Sequence, residues 1–124
     1  KGSEIKPIVK IASGGEISRI MLAIKTVFQE QDPVSTLVFD EIDSGISGFT
    51  AEKVAELLLK LSKRKQVLCI SHLSQIMRKA DYHLNVEKIV QQNQTFVKAN
   101  YLTKKESLEL IENLYMGKKA VHYG

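Results

Sequence analysis

The chain has 124 residues, 44% hydrophobic and 26% charged. These are the proportions of one ordinary globular domain of roughly 100–200 residues, and they exclude a disordered tail, a collagen-like fibre and a low-complexity linker. One cysteine, Cys69, excludes an internal disulfide framework and suits a reducing compartment. Lys and Arg number 18 against 14 Asp and Glu, so the net charge is +4, which permits a polyanionic partner without establishing one. No apolar run is long enough to span a membrane, and Lys1–Glu4 have no signal-peptide character. A cytoplasmic protein with no membrane partner is expected.

Lys6–Ile11 reads as a short strand, with Pro7 confined to its start or to an edge. The period then changes. Ile17, Ile20, Met21, Ile24, Val27 and Phe28 recur at helical spacing, and Ser13-x-x-Glu16 forms a capping box at the start. This helix ends before Asp32-Pro33. Val34–Phe39 is a β-rich apolar run of the kind buried on both faces of a parallel sheet. A loop, Asp43–Gly48, leads to a second helix over Phe49–Ser62, with Val54, Leu57, Leu58 and Leu61 on one face.

Gln66–Ser71 is a second buried-type strand, and Ser74–Lys79 a short helix. Tyr82–Ile89 and Thr95–Leu102 form a hairpin across the polar turn Gln91–Gln94, with Val97, Ala99 and Tyr101 alternating as in a half-buried strand. Lys104–Tyr115 is a last helix, with Leu108, Ile111, Leu114 and Tyr115 facing inward and Gly117 ending it. The alternation of strand and helix predicts an α/β sandwich with a C-terminal hairpin. Lys60, Lys63, Arg64 and Lys65 cluster at a helix end, where cations complement the dipole, and a solvated terminus is preferred to a DNA patch.

Three places carry chemistry. Two glycines at a helix start, Ser13-Gly14-Gly15-Glu16, allow close backbone approach to an anion, most naturally phosphate, at free N–H groups and a positive dipole end. The same residues also suit a capped helix that binds nothing. Asp40-Glu41 follows an apolar strand, at the edge where open α/β sheets bind ligands. One acid there can hold Mg²⁺ and its neighbour can orient or deprotonate a water; two loop carboxylates capping the next segment of chain would look the same. His72 comes after the next strand and should emerge at the same edge, able to bond a phosphate oxygen or a water, or simply to pack in its loop. Cys69 and His72 are spaced C-x-x-H, but Cys69 sits inside an apolar strand with no second ligand pair, so a buried structural cysteine is preferred to a metal site. His83 and His122 have no such setting.

The order of these features resembles the second half of an ABC-type ATPase head. Ala12–Glu16 is similar to the signature motif, Thr36–Glu41 to the Walker B strand, Ser44–Ser47 to the D-loop and Ser71-His72 to the switch histidine. Glu16 in place of the transporters' glutamine, and Ile42 in place of their proline, resemble the SMC-like chromosome and repair ATPases. No G-x-x-x-x-G-K-[ST] phosphate loop is present, and Gly117-Lys118-Lys119 does not supply one. Ser47 stands where the family's D-loop has aspartate, so D-loop contacts do not transfer to it directly; Asp43 is a partial substitute.

The resemblance implies that residues 1–124 are the C-terminal lobe of a head, a fragment beginning after a long coiled coil, whose partner is the N-terminal P-loop half. It implies two heads joined in a homodimer through two ATP molecules, in a DNA-binding, nucleoid-associated repair protein. Ser13, Gly14 and Gly15 would bind the γ-phosphate across the dimer, with Glu16 part of the same nucleotide-binding motif. Asp40 would hold Mg²⁺ directly or through water, Glu41 would polarise the attacking water, and His72 would contact the γ-phosphate. The fragment alone is not expected to hydrolyse ATP. A head from another SMC-like or transporter-type ATPase, or a non-catalytic interaction module, would carry a similar outline.

Overall fold

A computed structural model describes residues 13–116. The expected Lys6–Ile11 strand, the Gly117 helix end and His122 lie outside these residues. The elements are α1 (Gly14–Val27), β1 (Thr36–Phe39), α2 (Gly48–Ser62), β2 (Gln66–Cys69), α3 (Ser74–Met77), β3 (Leu84–Gln91), β4 (Gln94–Tyr101) and α4 (Lys104–Tyr115). They divide into two compact units at Lys79–Ala80.

In the first unit β1, α2 and β2 form a β–α–β crossover. The two strands are parallel, with Thr36 opposite Gln66 and Phe39 opposite Cys69. Ile70 N–H donates to Phe39 O at 2.9 Å and extends the ladder past the strand ends. The α2 stripe Ala51, Val54, Ala55, Leu58 and Leu61 is buried. Val54, Ala55, Leu58 and Leu61 join Leu22 of α1, Phe39, Ile42 and Ile76 in one core. Leu22, Ile42 and Leu61 are fully buried, each contributing about 1.5–3 kcal/mol relative to exposure.

One expectation about buried faces is corrected. Among the described residues β1 and β2 are covered on one side only: Phe39 is buried, whereas Val38, Leu68 and Ile70 are 65%, 45% and 59% exposed. The side of α1 that is buried carries Gly15, Leu22 and Thr26. Its apolar stripe from Ile17 to Phe28 is exposed. The basic cluster is also not uniformly solvated. Lys65 is buried and donates to the carbonyls of Asp32 and Val34, while Asp32 pairs with Lys25. These bonds tie the loop after α1 to the end of α2.

The second unit is the antiparallel hairpin β3–β4 followed by α4. Its turn has two residues, Gln92 and Asn93, with φ of 48° and 60°. Both being left-handed is the signature of the turn that matches strand twist. The strands are shifted from the expected spans, and Val97 and Tyr101 are exposed rather than half-buried. α4 has the expected bounds. Thr103 and Glu106 make a reciprocal capping box at its start. Of its expected inward face, Leu108 and Tyr115 are exposed; Ser107 is buried and bonds His83 Nδ1 at 3.0 Å.

Candidate functional site

The parallel crossover sends the residues after β1 and β2 out at one edge, where ligands bind in open α/β sheets. Asp40 and Glu41 leave β1 there, and Ser71 and His72 leave β2. The start of α1 reaches the same place. A cleft of about 760 Å³ is lined by Ser13, Gly14, Gly15, Asp40, Glu41 and His72, with Asp43 and the loop around Ser44 between them. Six of the seven residues singled out in the sequence thus share one cleft. Glu16 stands apart from its lining, because its carboxylate folds back onto Ser13.

Ser13 caps α1. Its hydroxyl accepts from Glu16 N–H at 3.3 Å and donates to the Glu16 carboxylate at 3.0 Å. Gly15 has no room for a side chain. A β-carbon there would lie 2.8 Å from both the carbonyl oxygen of Glu41 and Cβ of Ser44. One on Gly14 would collide with the Glu41 carboxylate. Gly15 is therefore required by the close passage of the Glu41–Ser44 turn, closed by Ser44 N–H to Glu41 O at 3.0 Å, whereas at Gly14 the obstacle is the end of a flexible side chain.

α1 grips that turn a second way. Ser18 Oγ donates to Asp40 O at 2.7 Å, and Arg19 Nη1 donates to Ile42 O and Ser44 O at 3.1 and 2.7 Å. Glu41 itself has φ of 56°, a left-handed backbone that costs a non-glycine residue energy. Its carboxylate is exposed in the cleft. Asp40 Oδ1 accepts from Glu41 N–H at 2.8 Å, leaving its other oxygen to the cleft.

The sequence assigned Asp43 a minor place, yet it is the buried acid of the site. It is 7% exposed. Its Oδ2 accepts from Ser71 Oγ at 2.7 Å, from His72 N–H at 3.0 Å, and lies 3.1 Å from His72 Nδ1. Burial opposes its charge, but the Ser71 hydroxyl, the His72 N–H and the imidazole outweigh that and hold the carboxyl below the usual aspartate range. The signal in the sequence was the third acid of Asp40-Glu41-Ile42-Asp43. Arg19 and Ser18 were also missed; their position one turn and more after the glycines was the available sign. Ser47 caps α2 through its backbone, its carbonyl accepting from Ala51 N–H, and makes no side-chain cap bond.

Cys69 lies in β2 as expected. Burial, with Asp43 and Asp40 nearby, pushes its thiol up to about 12. That is the behaviour of an inert structural thiol. Among the described residues no three His, Cys, Asp or Glu side chains cluster to hold a metal. Asp40, with one carboxylate oxygen not engaged by Glu41 N–H, is a hard oxygen donor that suits Mg²⁺, so it fits part of a coordination shell whose remaining ligands come from phosphate, water or another polypeptide. Among the described residues no helix is long and apolar enough to cross a membrane.

No protein-family model matches the chain. It is similar to the DNA repair protein RecN of Bacillus subtilis, at 42% identity over 116 residues, covering 94% of this chain and 20% of that protein. RecN of Deinococcus radiodurans is 44% identical over the same shares. RecN of Treponema pallidum is 58% identical over 87 residues, 70% of this chain and 15% of that protein. The chain therefore spans about a fifth of the length of the curated relatives it matches. Among solved structures it resembles one from a study of ATP-driven dimerization and DNA-stimulated activation of SMC ATPases. That match has a TM-score of 0.61 and 26% identity, over 97% of this chain and 70% of that one. It also shares the fold of the Smc head domain of Pyrococcus yayanosii, with a TM-score of 0.62 and 24% identity, over 86% of this chain and 20% of that one. Across the segment it shares with these proteins, the chain belongs to the RecN family and has the fold of an SMC ATPase head.

Proposed function

We propose that this chain is the C-terminal lobe of the ATP-hydrolysing head of a DNA repair ATPase, working with a P-loop half and with a second head. The observation that carries this is the convergence of Ser13–Gly15, Asp40-Glu41 and His72 on one cleft at the C-terminal edge of the parallel strands. RecN relatives that are DNA repair proteins, and an SMC structure linked to ATP-driven dimerization and DNA stimulation, support the same reading.

In it the start of α1 binds the terminal phosphate of a nucleotide held by the opposite head. The N–H groups of its first turn and its dipole favour the anion, and the glycines keep side chains out of the way. The Ser13 hydroxyl exchanges its Glu16 partner for a phosphate oxygen. Asp40 takes Mg²⁺ on its free oxygen, directly or through water. The ion, when bound, neutralises charge developing on the phosphates. Glu41 accepts a proton from the attacking water or orients it. His72 presents its ring to the γ-phosphate. Coupling of this cycle to DNA ends or strands belongs to the whole protein, of which this chain supplies one part of the head.

Ser13→Arg tests the trans arrangement. Assembled with the P-loop half of a RecN relative, the variant should retain ATP binding and lose hydrolysis, because the arginine obstructs the approach of the second nucleotide. Loss of ATP binding as well would place Ser13 beside its own head's nucleotide and contradict the reading.

A further inference from the structure

We propose that Asp43 is the positioning residue for His72: its buried carboxylate keeps a proton on Nδ1 and so holds Nε2 toward the cleft. The geometry is independent of the proposed ATPase function; only its consequence for ATP hydrolysis rests on that reading.

The two partners differ sharply in exposure. The His72 side chain is 81% exposed and that of Asp43 is 7% exposed. A ring so open to solvent is ordinarily free to rotate, but here its Nδ1 lies 3.1 Å from a fixed oxygen. That oxygen is fixed by two other donors. Asp43 Oδ2 accepts from Ser71 Oγ at 2.7 Å and from His72 N–H at 3.0 Å as well. Ser71 Oγ in turn accepts from Leu73 N–H at 3.1 Å, so its own proton is directed at Asp43. The chain Leu73 N–H, Ser71 O–H, Asp43 Oδ2 holds the acceptor through bonds that do not involve the imidazole.

A carboxylate only accepts. At ion-pair distance the ring nitrogen beside it is favoured to carry hydrogen, and in the neutral imidazole this leaves the lone pair on Nε2. When the ring is protonated, Nε2 becomes a donor without changing direction. In both states the ring offers a polar atom to the cleft that His72 lines together with Asp40 and Glu41. The acid–histidine contact of the site thus lies within one chain, between the two loops that leave β1 and β2.

Asp43 also staples those two loops through Ser71 and the His72 backbone, and a purely structural acid would do only that. The tautomer separates the two roles. The chain, labelled with ¹⁵N in its histidines, is measured by NMR at about pH 8, where an ordinary histidine is neutral. His72 should be the Nδ1–H tautomer. Ser71→Ala should lower stability and keep that tautomer. Asp43→Asn, with its amide spectrum still dispersed, should shift the ring toward Nε2–H. A wild-type His72 protonated mainly at Nε2 overturns the proposal whether or not any variant folds, and so does a folded Asp43→Asn with an unchanged ring.

In the assembled head, Asp43→Asn should lower kcat about 10–100-fold, by analogy with the outer partners that orient metal-bound histidines, with KM for ATP unchanged. An equal loss of ATP affinity would assign Asp43 to scaffolding and overturn its positioning role. A wild-type ring with Nδ1–H in an assembly that never hydrolyses ATP would leave the positioning intact and contradict the proposed function alone.

Discussion

The carbonyl oxygen of Glu41 passes so close to Gly15 of α1 that a β-carbon on that glycine would stand 2.8 Å away, with Cβ of Ser44 equally near. Neither obstacle is the flexible end of a long side chain. Gly15→Ala should therefore push the Glu41–Ser44 turn aside and destabilise the chain by about 1–3 kcal/mol. At Gly14 the obstacle is the Glu41 carboxylate, which can swing into the open cleft. Gly14→Ala should then be neutral or slightly stabilising, since alanine favours the helix by up to about 1 kcal/mol. Urea unfolding of the two variants should show a lowered midpoint for Gly15→Ala only. Equal midpoints would mean that α1 does not pack on the turn in this way.

Glu41 holds φ of 56° without being glycine. A left-handed residue of this kind costs on the order of 1–3 kcal/mol, and glycine removes that cost while adding about 0.5–1 kcal/mol of chain entropy. Glu41→Gly should raise stability by about 1 kcal/mol, seen as a higher melting temperature, and should abolish hydrolysis in the assembled head. A gain in stability with loss of activity is the usual pattern where strain is kept for function. A destabilised Glu41→Gly chain would show that the carboxylate is held by contacts worth more than the strain.

Much of this was legible in the sequence because local chemistry decided it. Ser13-x-x-Glu16 marked the start of α1, and the apolar run ending in Asp40-Glu41 marked β1 and its exit. The match of α4 to Lys104–Tyr115 follows from its strong period, and its Thr103–Glu106 cap was there to be read. The faces were less legible. Val38, Leu68, Val97 and Tyr101 alternate or cluster as buried residues do, yet all are exposed. Alternation tells which residues share a face; it does not say whether another element covers that face. In the site, the roles of Asp40, Glu41 and His72 could be guessed from their exits at one sheet edge. The roles of Asp43 and Arg19 could not, because their partners lie 29 and more than 20 residues away.

Asp43 makes stability depend on pH in a definite direction. Its carboxyl is held below the ordinary aspartate value of 3.8 by the Ser71 hydroxyl, the His72 N–H and the imidazole, against the opposing effect of burial. A carboxyl lowered by folding stabilises the chain above its unfolded-state value, and that contribution is lost as pH falls through the folded-state value. The gap in unfolding free energy between wild type and Asp43→Asn should therefore be full at pH 6 and shrink below about pH 4. Thermal melts across pH 6 to 2.5 measure it. A gap that stays constant would mean that Asp43 is not charged in the folded chain.

The central claim is that Glu41 acts on the water in an ATPase head completed by a P-loop half. The most direct measurement mixes this chain with the P-loop half of a RecN relative and follows ATP hydrolysis for wild type and Glu41→Gln. Turnover should appear only in the mixture, and the variant should lose at least about 100-fold in rate while still binding ATP. A mixture that hydrolyses ATP equally well with Glu41→Gln would contradict that claim.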